Sequence, residues 1–295
     1  MTIFRFRKLL TQLLPNPFKH YLRERVLRTP LPMWRVGSGV TRILGTQYKP
    51  DHDCIEIDIT YACNLNCPSC NRSVNLKPAD HMTLDQIGHF IQESIEQNRK
   101  WKRIRLLGGE PTAHPQLLDI LNALLDYKRN HSPRTLIEIT TNGHGKKVEK
   151  ILATIPEGVV ITNTEKSSGA QDYFVTFNVA PMDLEEYENV DYSNGCEITA
   201  ENGIGLTKYG YYPCAVAGGI DRIFGLSAGR QSLPEKGEDM HNELDQLCRY
   251  CGHFKRGNHT VSDSHEISVT WRTEYADLKQ RQPALTRFTG KKREA

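Results

Sequence analysis

The sequence predicts an α/β fold: a partial (β/α)6 TIM-like barrel of parallel strands, followed by a small C-terminal domain built from a β-hairpin and a short helix. Three observations predict it. Strand-like and helix-like segments alternate from residue 54 to residue 180, as crossovers in a parallel sheet require. The loops after successive strands carry the unusual residues, on the rim where such folds place their chemistry. From about residue 195 the alternation stops and paired cysteines appear.

Taken in order, residues 1–50 form a basic amphipathic extension, with ten Lys or Arg against one acidic residue, Glu24. Ile3, Phe4, Phe6, Leu9, Leu10, Leu13 and Leu14 fall roughly on one helical face. One reading is a helix packed on the body of the protein or on a partner; the other is a helix lying on an anionic membrane surface. Residues 54–60, CIEIDIT, read as a strand with Ile55, Ile57 and Ile59 on one face. Thr83 and Gln86 make a capping-box signal for a helix running to about Lys100. Residues 103–107 read as the second strand and end at Gly108-Gly109. A helix follows Pro115, and 135–141 make the third strand, broken by Asn142-Gly143. A short helix around 146–154 leads to strands at 159–163 and 173–180.

Residues 196–214 read as a hairpin with Asn202-Gly203 near its tip. The stretch 218–239 reads as a Gly-rich loop, and a short helix ends in LCRYC. The tail is polar, with one β-like run, EISVTWRT, at 266–273. The expected division is an extension at 1–50, a core domain at 51–190, a small domain at 191–256 and a tail at 257–295.

The chain has 295 residues, long enough for one large core or a core with an appendage. With 38% hydrophobic and 25% charged residues, the composition fits a globular protein and not a disordered or membrane-embedded one. No apolar run approaches the roughly 20 residues of a membrane-spanning helix. The first residues make a poor secretory signal, so a cytoplasmic location is expected, with peripheral membrane contact through the N-terminus as the second reading. The eight cysteines, at 54, 63, 67, 70, 196, 214, 248 and 251, then point to metal or redox chemistry more than to disulfides.

Cys63, Cys67 and Cys70 lie in YACNLNCPSC with the spacing CxxxCxxC, directly after the first strand. Thiolates suit iron–sulfur clusters or zinc. Three ligands from one loop leave a corner of a four-iron cluster open to another molecule, whereas a structural zinc site wants all four positions closed. Gly108, Gly109, Glu110 and Pro111 follow the second strand. The glycines allow close backbone approach, Glu110 offers a charge-assisted acceptor and Pro111 stiffens the turn. An ordinary strand-to-helix loop is the plain alternative.

On these two motifs the sequence resembles the radical S-adenosylmethionine (SAM) superfamily, over about residues 54–255. Ser69 departs from the pattern, standing where many members carry an aromatic residue near the SAM adenine. The resemblance implies a 4Fe–4S cluster on Cys63, Cys67 and Cys70, with SAM bound at its open iron and Glu110 receiving the SAM ammonium. It implies reductive cleavage of SAM to a 5′-deoxyadenosyl radical that takes a hydrogen atom from a substrate. Asn142, Asn163 and Asn178, at strand ends, are candidate SAM contacts; asparagines there are also simple turn formers.

Cys196 and Cys214 bracket the expected hairpin, and Cys248 and Cys251 form a CxxC. This layout resembles the twitch domain, the short form of the SPASM domain, and implies one auxiliary 4Fe–4S cluster; a four-cysteine zinc site is the alternative. Such a cluster accepts or relays an electron. The layout resembles an alcohol dehydrogenase of aminoglycoside biosynthesis, which implies oxidation, or a related epimerisation, of a small hydroxylated molecule. An electron donor such as flavodoxin or ferredoxin is then a partner. The other expectations are a peptide maturase acting on a ribosomal precursor, with the basic N-terminus gripping an acidic leader, and a non-catalytic metal-binding protein. No nucleic-acid-binding motif is recognised. Cys54 reads as a packed thiol or a hydrogen-atom donor. His114, His144 and His253 read as loop or surface histidines, and the sequence identifies no catalytic acid or base.

Overall fold

The computed structural model describes residues 33–67, 70–74, 76, 79–166, 177–254 and 267–278. Its centre is a six-stranded sheet in the order β4-β3-β2-β1-β5-β6. The strands are β1 (Cys54–Thr60), β2 (Arg103–Gly108), β3 (Leu136–Thr141), β4 (Val159–Asn163), β5 (Ile204–Thr207) and β6 (Gly210–Tyr212). β1 to β5 run parallel, and β6 returns antiparallel to β5. The helices are α1 (Ser38–Leu44), α2 (Leu84–Glu96), α3 (Leu117–His131), α4 (Lys146–Leu152), α5 (Glu197–Asn202), α6 (Ala215–Phe224), α7 (His241–Cys248) and α8 (Val269–Leu278). The longest, α3, is too short and too polar to cross a membrane, as is every other helix among the described residues.

β1 is buried along its whole length, as expected of a central strand covered on both faces. Ile55, Ile57 and Ile59 join the core under α2 and α3, with Phe90, Ile104, Leu121 and Ile137. Thr83 and Gln86 form the expected capping box at the start of α2. The opposite face carries charge. Arg72 donates to Asp58 and Glu56, each at 3.1 Å, and Arg105 bridges Glu56 at 2.9 Å and Glu138 at 3.2 Å. Removing one partner from such a buried network strands the others and costs about 3–5 kcal/mol.

Residues 196–214 are not one hairpin: Glu197–Asn202 is helix α5, and the hairpin turns at Lys208-Tyr209 between β5 and β6. Gly203, read as a hairpin tip, ends α5 at φ 81°. The supposed Gly-rich loop begins as helix α6, all ten of whose residues are buried. The β-like run at 266–273 leads into helix α8. Trp271 decides this: its ring is enclosed by Phe177, Phe224 and Tyr275, and Tyr275 sits four residues on along the same helix face. Asp183 accepts from the Thr270 N–H at 3.0 Å and so caps the helix start. Of the strand expected at 173–180, residues 173–176 lie outside the described residues, and 177–180 form no strand but a turn. Of the N-terminal extension expected at 1–50, residues 1–32, which include the apolar positions Ile3 to Leu14, also lie outside them, while 38–44 form α1.

β5 pairs with β1 directly, so the sheet runs unbroken across the boundary expected at 190/191. This places the later cysteines beside the first cysteine loop.

Candidate active site

A cavity of about 270 Å³ opens where β1, β2 and β3 end. Cys63, Cys67 and Cys70 line it, facing Gly108 and Gly109 from the end of β2 and Thr140, Thr141 and Asn142 from the end of β3. Glu56, Asn71, Arg72, Thr164, Lys166 and Asn202 add polar lining; Leu65, Val74, Leu107, Ile198 and Val216 add apolar lining. Thr140 Oγ1 is buried with no hydrogen-bond partner, a polar atom waiting for one.

The two glycines are explained by the cysteine loop itself. A Cβ at Gly108 would stand 2.2 Å from the Thr60 carbonyl oxygen, and one at Gly109 would stand 2.1 Å from that of Ala62. The Gly109 and Glu110 N–H groups donate to those same carbonyls, each at 2.7 Å. The turn is thus pressed against the first residues of the cysteine loop, which only a side-chain-free backbone permits.

Glu110 is buried and fully engaged. Its carboxylate accepts from the Thr112 N–H at 3.2 Å, the Thr112 hydroxyl at 2.9 Å, the Thr141 hydroxyl at 2.8 Å and the Asn142 N–H at 2.8 Å. Pro111 is buried beneath it as the first residue of a 3₁₀ turn. Neither residue lines the cavity. The Asn142 side chain extends the chain of contacts: it donates to Asn64 Oδ1 at 2.8 Å and points at Cys63 Sγ at 3.8 Å. Asn64 in turn donates to the His144 carbonyl at 2.7 Å. Glu110 therefore fixes Asn142, and Asn142 fixes the loop at Cys63.

Of the three candidate asparagines, Asn142 alone lines the cavity. Asn163 ends β4 as an exposed turn former, accepting from the Glu165 N–H at 2.8 Å. Asn178 is buried near α8, donating to Tyr275 at 3.4 Å. Ser69 lies outside the described residues. His114 is a buried structural histidine between Met82 and Gln116. Cys54 is buried away from both cysteine sites, and burial pushes its thiol up to about 11.

A second, narrow, apolar cavity is lined by Cys196, Cys214, Cys248 and Cys251, with Ile220, Leu247 and Phe254 around them. Cys196 precedes α5, Cys214 caps α6, and Cys248 and Cys251 lie at the end of α7. Burial raises all four thiols, Cys214 to about 12. Burial likewise raises Cys63 and Cys67, with Lys166 opposing it at Cys67. Four buried thiols side by side favour thiolates only when a cation group neutralises them, which is the behaviour of a metal-ligand set. Ile198 and Val216 line both cavities and are the wall between them.

The sequence reading missed Glu56, Arg72, Lys166, Asn202 and the Ile198–Val216 wall. One signal was present: Glu56 and Asp58 alternate with isoleucines in a strand that has to be central, and a carboxylate there needs a reason.

Residues 57–162 match the radical SAM superfamily domain. Molybdenum cofactor biosynthesis protein 1 of Bos taurus is 36% identical over 126 residues, 40% of this chain and 18% of that protein. A probable GTP 3′,8-cyclase of Pyrococcus horikoshii is 30% identical over 89 residues, 30% of this chain and 26% of that protein. The chain thus spans about a fifth to a quarter of these relatives' length. Among solved structures, BtrN in complex with AdoMet and 2-DOIA superposes with a TM-score of 0.40 at 15% identity, covering 71% of this chain and 96% of that one. Streptococcus suis SuiB bound to S-adenosylmethionine gives 0.28 at 18% identity, over 54% of this chain and 35% of that one. The family assignment is carried by the sequence match over 57–162.

Proposed function

We propose, on the premise that residues 57–162 of this chain are a radical SAM superfamily domain, that the chain is a radical SAM enzyme oxidising or epimerising a small hydroxylated molecule. The observation that carries this reading is the pair of cysteine-lined cavities with a common wall of Ile198 and Val216.

When bound, SAM and a reduced 4Fe–4S cluster supply a 5′-deoxyadenosyl radical that removes a hydrogen atom from carbon. Cys63, Cys67 and Cys70 would hold that cluster. Asn142 and the Gly108-Gly109 backbone line the adjacent space, and Glu110 positions Asn142. Glu56, held by Arg72 and Arg105, gives the cavity a fixed acceptor for a substrate hydroxyl. Leu65, Val74 and Leu107 exclude water from the same space.

Cys196, Cys214, Cys248 and Cys251 would hold an auxiliary 4Fe–4S cluster that takes or relays an electron. A flavodoxin- or ferredoxin-like donor would supply the reducing electron. The division into core and twitch-like domain near residue 190 belongs to this proposal, and so does a cytoplasmic setting.

The sequence relatives favour a second reading, in which the same radical chemistry acts on GTP. The peptide-maturase reading depends on the N-terminal segment outside the described residues. One assay separates them: 5′-deoxyadenosine formed anaerobically from SAM and reductant, with polyhydroxylated small molecules, GTP or a leader peptide added. Substrate-stimulated formation with hydroxylated molecules supports the proposal. Stimulation by GTP alone selects the second reading. No 5′-deoxyadenosine from fully iron-loaded protein overturns both.

A further inference from the structure

Helix α6 starts directly after Cys214, of the second cysteine set, and its later residues pack against the segments either side of the first. Two of its residues reach the segments that flank the Cys63–Cys70 loop. Arg222, 1% exposed, stacks its guanidinium over the Tyr61 ring at 4.3 Å and donates from Nη1 to the Ser73 carbonyl at 3.0 Å. Tyr61 stands two residues before Cys63, and Ser73 three residues after Cys70. One side chain therefore clamps both ends of the loop. One helical turn earlier, Gly219 lies against the segment just after Cys70: a Cβ there would stand 2.9 Å from the Asn71 carbonyl oxygen. Glycine in a helix interior costs about 1 kcal/mol relative to Ala, so its presence at a close contact has a use. Asp221, between them, accepts from the Tyr212 hydroxyl at 2.7 Å and the Ala228 N–H at 3.0 Å, which keeps α6 from sliding. Val216, near the start of the helix, belongs to the wall between the cavities.

We infer that α6 is a rigid brace through which the second cysteine site sets the geometry of the first, with Arg222 and Gly219 as its positioning residues. The inference rests on the reading that Cys63, Cys67 and Cys70 hold the cluster, and it deepens it: the later cysteines supply a structural input to SAM cleavage as well as an electron site. Moving a ligand loop by a fraction of an ångström is enough to cost rate, since misplacement of about 1 Å costs on the order of 100-fold.

The test uses the full-length chain, anaerobically reconstituted, as wild type, Arg222→Ala, Arg222→Lys and Gly219→Val. Three readouts are taken: substrate-free SAM cleavage, the EPR signal of the reduced first cluster with and without SAM, and amide hydrogen exchange across 61–73. Arg222→Ala and Gly219→Val are expected to lower substrate-free SAM cleavage on the order of 10- to 100-fold, to perturb the SAM-induced EPR change and to speed exchange in 61–73. Arg222→Lys, which keeps the charge over Tyr61, is expected to recover part of each. Wild-type EPR and cleavage in both Arg222→Ala and Gly219→Val overturn the inference, whatever the exchange shows. If those variants do not fold, Arg222→Lys and Gly219→Ala carry the same test with smaller expected effects. If wild type binds no iron at Cys63–Cys70, the radical-cluster reading falls, and exchange alone decides the brace. Faster exchange confined to 61–73 supports it, and unchanged exchange overturns it.

Discussion

The Glu110 carboxylate accepts four hydrogen bonds from two strand ends, so its chemistry is legible only once those ends are together. Glu110→Gln turns one acceptor oxygen into a donor facing donors. The expected cost is about 1–3 kcal/mol, read as a lower denaturant midpoint and weaker SAM binding through a loosened Asn142; a wild-type midpoint would contradict the account. Asp58 gives a pH-dependent prediction. Burial, opposed by Arg72, raises its carboxyl from 3.8 to about 6. The folded chain then holds the proton more tightly than the unfolded one. This stabilising contribution is complete below about pH 4 and is lost as pH rises through about 6. In Asp58→Asn that dependence disappears, so the wild-type unfolding midpoint should fall relative to the variant's as pH rises from about 4 to about 7. Parallel curves would show that Asp58 does not titrate there. Cys63, Cys67, Cys70 and the Gly-Gly-Glu-Pro turn were legible in the sequence because each motif is local. Glu56 and Arg72 were not recognised as a pair because they are sixteen residues apart and meet only when the loop after β1 folds back over that strand.

Among the elements, those with a strong local period were read correctly: β1 through its alternating isoleucines, α2 through its capping box. The misread ones are those whose state is set by packing. Asn202-Gly203 is a hairpin signal by composition, yet it closes a helix because Gly203 must pass close to the Cys54 carbonyl. Val269 and Thr270 favour a strand, yet Trp271 pulls the segment into a helix. Its indole is fully buried and donates to the Tyr250 carbonyl at 2.7 Å. Trp271→Ala is expected to cost about 3–5 kcal/mol, measured by denaturant unfolding; a loss under about 1 kcal/mol would mean that the aromatic cluster does not hold α8. The elements carrying Cys248 and Cys251 make a functional prediction. The double replacement by Ala should leave some SAM cleavage but stop productive turnover, followed as 5′-deoxyadenosine against oxidised product. Normal turnover would remove the electron-accepting role.

For the whole molecule, the parallel α/β architecture was legible from the alternation of elements, but the closeness of the two cysteine sets was not. It depends on β5 pairing with β1 across more than a hundred intervening residues, a long-range register that no local pattern encodes. That pairing sets two cavities side by side, separated by Ile198 and Val216, and this arrangement supports the central proposal that the chain holds two iron–sulfur clusters. The most direct test is iron and acid-labile sulfide per chain after anaerobic reconstitution, for wild type and for the Cys63/Cys67/Cys70 triple Ala variant. The account predicts about eight irons falling to about four, with sulfide in step. About four irons falling to none, with zinc retained, would contradict it and make the second site structural.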